Sequence, residues 1–276
     1  MSDLDAISWN LFHGRDAPPN EGLFTLRSRL LGMTESDATH VQVNRQLLDE
    51  FTRVLGGLDW DVALLQEAPP RWLRPLCSRL GVHGASALTA RNFGAVGRAL
   101  IAAVNPDLIA SGEGGSNQLL VRPPWRIVEV RRLTLTRRPE RRRMLWARLE
   151  GPPGAVCVAN LHATAHDEAA AARDVELAAA AATEWSGAQP LLFGGDLNLR
   201  PRSAPAPFKR LEEAYGLVAP SAADAVDHLL AHGLTVPAAP TRLPASARDL
   251  RVPEGKLIRL SDHAPLVARF GLAAAR

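Results

Sequence analysis

The chain has 276 residues, 46% of them hydrophobic, which is enough for a substantial core and excludes a disordered or linker protein. Its 32 basic and 29 acidic residues give a formal net charge of +3, a balance that permits anionic partners without requiring them. Cys77 and Cys157 lie far apart in apolar contexts, so neither a disulfide framework nor a zinc set is expected, and no apolar stretch reaches the ~20 residues that span a bilayer.

Asp5–Trp9 reads as a first strand, followed by a loop rich in glycine, proline and asparagine over Asn10–Glu21. The apolar spacing of Gln42–Leu55 predicts a helix ended by Gly56-Gly57, and Asp61–Leu65 a buried strand. Pro70–Leu80 is a predicted helix, and Leu100–Val104 and Asp107–Ile109 are short strand candidates. Gln118–Val121, Arg126–Val130 and Met144–Leu149 read as strands, the first two around a Pro123-Pro124 turn. Ala155–Leu161 is a buried strand and Asp167–Trp185 an alanine-rich helix with acidic residues toward its positive end. A strand at Pro190–Phe193, a helix at Phe208–Tyr215 and a strand at Ala225–Leu230 follow, and Leu257–Leu260 and Pro265–Phe270 close the sheet.

The segment 5–67 and the segment 156–196 each run strand, long helix, strand, carboxylate. That parallel suggests two packed sheets with one half of the chain in each. No linker divides residues 1–276, so one domain is expected. The N-terminus lacks a basic stretch followed by an apolar one, which points to a soluble, cytoplasmic protein.

Short polar signatures follow the apolar runs: Trp9-Asn10, Gln66-Glu67, Asn160-Leu161-His162, Gly194-Gly195-Asp196-Leu197-Asn198 and Ser261-Asp262-His263. Polar groups at the ends of buried strands can reach one cleft at the sheet edge. Carboxylates with amides suit a hard, oxygen-loving cation, and histidines beside them suit proton transfer or phosphate contact. Glu67 alone reads as a solvated cap; with Asp196 and Asp262 it becomes a candidate metal ligand. Asn10 either starts a turn or holds a metal-bound water or a second metal position. Strand alternation puts Asp196 and Asn198 on one side, the first to orient or deprotonate water and the second to donate to a phosphoryl oxygen. The double glycine is read as room for a phosphate-sized group against the backbone. His162 is a candidate phosphate donor. Asp262 and His263 can reach the site together only from a loop. His263 needs a carboxylate to fix its tautomer, and Asp227 is the candidate, although it reads equally well as a solvated strand residue.

This ordered set, together with Val226-Asp227-His228, resembles the endonuclease/exonuclease/phosphatase superfamily from residue 7 to about 270. The resemblance implies a four-layer α/β sandwich, with two mixed β-sheets packed face to face and helices outside. It also implies Mg²⁺ or Mn²⁺ dependence and hydrolysis of a P–O bond by water. It assigns metal binding to Glu67 with Asn10 and Asp262 nearby, water and phosphate orientation to Asp196 and Asn198, a phosphate or leaving-group contact to His162, and a hydrogen-bonded dyad to Asp227 and His263. In Glu113–Leu120, the tyrosine that repair-type members carry is missing, and Asn117 stands as a candidate site amide. Residues 131–143 hold seven arginines; they form a solvated hairpin or a basic edge for a polyanion, with Arg143 as the phosphate contact.

The leading expectation is a metal-dependent phosphodiester hydrolase, a nuclease acting on DNA or RNA backbones as a monomer. The alternatives are a phosphomonoesterase for a sugar, inositol or nucleotide phosphate, and a non-catalytic nucleic-acid-binding module of the same fold.

Overall fold

The computed structural model describes residues 2–90, 95–109, 114–152 and 154–272. Two sheets pack face to face. The first has six strands in the order β12 (Thr241–Arg242), β15 (Leu266–Leu272), β1 (Ser2–Asn10), β4 (Val62–Ala68), β6 (Gly115–Val121) and β5 (His83–Thr89). The second has five: β11 (Asp227–His232), β10 (Leu191–Asp196), β9 (Gly154–His162), β8 (Arg142–Gly151) and β7 (Arg126–Thr136). Both are mixed, since β1–β4 and β9–β10 are parallel pairs among antiparallel ones. Two small ribbons, β2 (Glu35–Ser36) with β3 (Val41–Gln42) and β13 (Asp249–Arg251) with β14 (Leu257–Arg259), stand apart.

Strict alternation along each strand builds the layers. Leu4, Ala6, Val62, Leu64, Leu119, Leu145, Ala147, Val156, Val158, Leu192 and Leu229 fill the space between the sheets. Their neighbours point outward. Ile7, Trp9, Ala63 and Leu65 pack beneath α2 (Leu48–Gly56) and α3 (Leu73–Leu80), around Phe51 and Trp72. Met144, Trp146, Cys157, Ala159 and Phe193 pack beneath α6 (Glu168–Ser186) and α7 (Pro205–Tyr215). The result is a four-layer α/β sandwich.

Three sequence expectations change. The segments at Leu100–Val104 and Asp107–Ile109 are helical, as α4 (Ala95–Val104) and α5 (Pro106–Ile109), which lie near the short α1 (Leu26–Leu31). Asn105 accepts from the Leu108 N–H (2.9 Å) and Pro106 follows it, which is helix-starting chemistry that outweighs the apolar run. Helix α2 begins at Leu48 rather than Gln42, because Gln42 pairs in a ribbon and Asn44 is spent on the Ser28 carbonyl (2.8 Å) and Asn105 (2.6 Å). Leu257–Arg259 pairs with Asp249–Arg251 outside the main sheets, so β15 alone of the two closing segments joins the first sheet beside β1. The chain's end therefore returns to the sheet that holds its beginning. The strand His83–Thr89 escapes the sequence reading because it lacks β-branched residues until Thr89.

The loop after β1 is fastened to the C-terminal segment. Ala17 N–H donates to the Arg259 carbonyl (2.8 Å) and Ser261 N–H to the Arg15 carbonyl (3.1 Å). Asp16, fully buried, accepts from the Val43 N–H (2.9 Å) while its other oxygen has no partner. Burial, with a further push from Asp107, raises its pKa to about 7. Since the folded state then holds this proton more tightly than the unfolded chain, the group's stabilising contribution is full below its unfolded pKa of 3.8 and is lost as pH rises through about 7. Asp16→Asn, which does not titrate, should therefore gain on the wild type by roughly 2–3 kcal/mol between pH 5 and pH 8. Denaturant melts at the two pH values measure this; an offset between the two proteins that does not change with pH refutes it.

Candidate active site

The inner stripe of each strand turns polar at one end of the sandwich. Leu4-Ala6 continues to Ser8 and Asn10, Leu64 to Gln66, Leu119 to Asn117, Val158 to Asn160 and His162, and Leu192 to Asp196. Asp227 begins β11 opposite Asp196. Asn160 forms the floor: it donates to the Leu65 (3.0 Å) and Gln118 (2.8 Å) carbonyls of the other sheet and accepts from Gln66 Nε2 (2.8 Å). These bonds lock the two sheets in register beneath the site.

Asp196, 2% exposed, is the centre. Its Oδ2 accepts from Asn10 Nδ2 (3.1 Å) and lies 3.5 Å from His162 Nε2 and 3.9 Å from His263 Nε2. Its Oδ1 accepts from the Asn198 N–H (3.1 Å). Burial first, then Asp227, pushes its pKa up to about 7 against the pull of His263. The residue before it, Gly195, has φ +124°, and a Cβ there would stand 2.0 Å from the Leu161 carbonyl oxygen; at Gly194 it would stand 2.2 Å from that of His228. The double glycine thus admits the protein's own neighbouring strands, which replaces the reading of it as room for a phosphate.

Asn198 is not on the strand. The strand ends at Asp196 and Asn198 has φ +52°, so the turn rather than alternation places it. Its Nδ2 donates to the Ala163 carbonyl (3.1 Å), tying this turn to the end of β9.

Glu67 reaches the cleft through a break in alternation. By parity with Ala63 and Leu65 it belongs to the outer face, but the β4–β6 pairing shifts register between Leu65 and Ala68 and Glu67 takes φ +47°. This bulge re-aims the carboxylate. His13 Nε2 lies 3.1 Å from its Oε2. Burial, then Arg15, lowers the His13 pKa to about 4, so the ring is neutral at pH 7. No sequence argument singled out His13, although a histidine three residues beyond Asn10 and before a glycine was a signal. Gly14 (φ +75°) lies on the Trp72 ring, where a Cβ would come within 2.3 Å, and so fixes this loop.

His162 is buried and its pKa lies well below the ordinary value, through burial, then Arg142, then the other histidines. Arg142 Nη1 stands 3.1 Å from His162 Nδ1. A guanidinium only donates, so Nδ1 accepts and the ring proton sits on Nε2, facing Asp196. Arg142, not the expected Arg143, is thus the arginine against the site histidine. Arg143 turns its Nε to Thr134 Oγ1 (3.3 Å). Asn117, buried, donates to the Arg143 carbonyl (2.7 Å) and keeps an unpartnered Oδ1. Glu113 lies outside the described residues.

Asp262 and His263 come from a loop. Ser261 (φ +59°) donates from Oγ to the Asn10 carbonyl (2.6 Å) and accepts from the His263 N–H (3.0 Å), and Trp9 Nε1 holds the His263 carbonyl (2.9 Å). His263 Nδ1 donates to Asp227 Oδ2 at 2.8 Å. Burial opposes the ring's charge, but Asp227, Asp196 and Asp262 outweigh it and raise the pKa to about 10. Its Nε2–H therefore faces Asp196. His228, part of the same sequence signature, is elsewhere: buried against Phe208, it bonds the Leu199 and Ala225 carbonyls (both 3.0 Å) and is structural. Positive φ at His13, Glu67, Asn198 and Ser261 concentrates backbone strain around one cleft, as functional sites do.

The donors suit a hard cation. Burial first and then Asp262 raise the Glu67 pKa, so the two carboxylates repel without a counter-charge. Among the described residues, oxygens of Asp196 and Asp227 and a nitrogen of His263 lie within 4.8 Å of one another, as a metal's ligands would, and Asp227 Oδ1 is buried without a partner.

A profile of the Endonuclease/Exonuclease/phosphatase family matches residues 7–263. The chain belongs to that family. No curated protein sequence matches it. Among solved structures, an endonuclease/exonuclease/phosphatase family protein from Bacteroides thetaiotaomicron superposes with a TM-score of 0.64 at 15% identity, covering 99% of this chain and 98% of its own. The mannosyl-6-phosphatase Bt3783 from the same organism gives 0.63 at 15%, covering 97% and 99%. The human Nocturnin catalytic domain gives 0.60 at 17%, covering 98% and 94%. Family members are phosphoester hydrolases that generally use divalent metals. No helix among the described residues is long and apolar enough to cross a membrane.

Proposed function

We propose that this protein is a divalent-metal-dependent phosphodiesterase that cleaves nucleic-acid backbones. The observation that carries the reading is the position of Asp196, His162 and His263 between two clefts. One, about 670 Å³, is lined by His13, Glu67, Arg98, Arg142 and His162. The other, about 920 Å³, is lined by Asp227, Asp262, His263 and three arginines. A phosphodiester has a substituent on each side of phosphorus, and each would have a cleft; a monoester would leave one side bare.

Glu67, Asp262 and Asn10 would hold Mg²⁺ or Mn²⁺, which supplies charge neutralisation at the phosphate oxygens and the leaving oxygen. The chain's residues do the rest. His162 Nε2–H and His263 Nε2–H donate to the phosphoryl oxygens, where charge grows in the transition state. Asp196, fixed by Asn10 and the Asn198 N–H, orients the attacking water and accepts its proton. Asp227 holds the charged His263 ring in its plane, and Arg142 fixes the tautomer and ring plane of neutral His162. Neutral His13 keeps the Glu67 carboxylate turned toward the cleft.

Turnover of supercoiled plasmid, bis-p-nitrophenyl phosphate and mannose 6-phosphate, each with Mg²⁺ or Mn²⁺ and with EDTA, tests the proposal. Nicked plasmid and p-nitrophenol with metal, and neither with EDTA, are expected. Release of inorganic phosphate from the sugar phosphate alone would shift the assignment to a phosphomonoesterase.

A further inference from the structure

The larger cleft contains charge that the hydrolytic chemistry does not use. Arg200, Arg242 and Arg248 line it together with His263, whereas Arg142 lines the other cleft. Its three acids are engaged: Asp224 with Arg202 (3.1 Å), Asp227 with His263 (2.8 Å), and Asp262 in the proposed cation site. The arginines are not matched in the same way. Arg200 and Arg242 form no ion pair among the described residues, whereas nearby Arg259 is held by both oxygens of Asp249 (2.8 and 2.9 Å). Arg248 donates from Nη1 to the Ser261 carbonyl and leaves a buried Nε without a partner. Burial first, then Arg259 and to a lesser degree Arg242, lowers its pKa against the pull of Asp249 and Asp262. Arg200 and Arg242, lining one cleft with no ion pair of their own, offer the charge an anion site requires, and a guanidinium fits a phosphate with two parallel N–H donors.

We propose that Arg200 and Arg242, with Arg248 behind them, bind a second phosphate group of the substrate, joined by a short linker to the one that is hydrolysed. The inference rests on the phosphodiesterase reading for its chemistry, but the site is defined by the cleft alone. It takes a molecule with at least two phosphates, either successive phosphates of a nucleic-acid strand or a small polyphosphorylated compound. Arg248 also holds the Ser261 carbonyl, so an anion settled on this wall would press directly on the segment that carries Asp262 and His263.

The test compares wild type with the double variant Arg200→Ser/Arg242→Ser, which leaves Arg248 and every group at Asp196 in place. For an oligothymidylate, kcat/KM should fall by about tenfold or more, and the slope of log(kcat/KM) against log[salt] should lessen by roughly 1.4. For bis-p-nitrophenyl phosphate, whose aryl group enters this cleft without a second phosphate, the loss in kcat/KM should be several-fold smaller than for the oligothymidylate. Inhibition of that reaction by inositol hexakisphosphate is the second arm. If the variant escapes inhibition while the oligonucleotide is unaffected, the second phosphate comes from a small molecule. Equal losses on both substrates, or no change with either anion, overturn the proposal. Should the wild type hydrolyse neither substrate, the phosphodiesterase reading fails. Fluorescence anisotropy of labelled oligothymidylate and displacement by inositol hexakisphosphate, both in EDTA, then decide the subsite: it stands if the variant weakens either and falls if it weakens neither.

Discussion

Asp196→Asn should lower kcat by about 10²–10⁴, the range typical of losing a positioned proton acceptor, with little change in KM. The reason is the crowding of roles onto one carboxylate. Asp196 lies between His162 Nε2 and His263 Nε2 and is oriented by Asn10 and the Asn198 N–H. Asparagine keeps an oxygen for the Asn198 N–H, so the turn after β10 survives, although its NH₂ then meets the Asn10 Nδ2 donor and that bond is lost. It also removes one of the negative charges that burial and Asp227 make costly. The variant should therefore melt within a few degrees of the wild type while activity collapses, the usual opposition of stability and function at a strained site. Circular dichroism melts beside steady-state kinetics read both. Activity within tenfold of wild type would remove Asp196 from the chemistry; lost activity together with a collapsed melt would show a merely structural part.

The second large effect is on metal affinity. Glu67→Gln should weaken Mn²⁺ binding by at least the upper end of the ~10–100-fold range seen when groups that merely support metal ligands are altered. Glutamine preserves length and an oxygen but loses the charge. The bulge at Glu67 is set by the backbone register and not by the charge, so it is retained. Isothermal titration of the metal-free protein with Mn²⁺ reads affinity without any turnover. Unchanged affinity in Glu67→Gln, with a loss in a variant of Asp227, would move the cation to the Asp196, Asp227 and His263 group instead. The two placements differ in kind: the first uses carboxylates that repel one another across the cleft, and the second would break the Asp227–His263 hydrogen bond of 2.8 Å.

Much of this was legible in the sequence. Buried strands announced themselves as short apolar runs, and their two apolar faces called for sheets covered on both sides; the four-layer order itself was implied by the resemblance. The polar ends of those runs at Asn10, His162 and Asp196 lie on the inner stripe, so period-two alternation alone sends them to one rim. What alternation cannot encode is where it stops. Glu67 enters through a register shift, Asn198 through a left-handed turn, and Asp262 and His263 through the φ of +59° at Ser261. His13 arrives because its loop is fastened to residues 259–261 from the far end of the chain. Choosing Arg142 over Arg143 depended on which side of the β7–β8 hairpin faces His162. Composition and periodicity determined the buried strands and their polar ends, because hydrophobic burial acts on every strand at once, while the four-layer sandwich was implied by the family resemblance. Only tertiary contacts decided which side chains meet across that rim, because bulges, turns and distant backbone bonds are set one residue at a time.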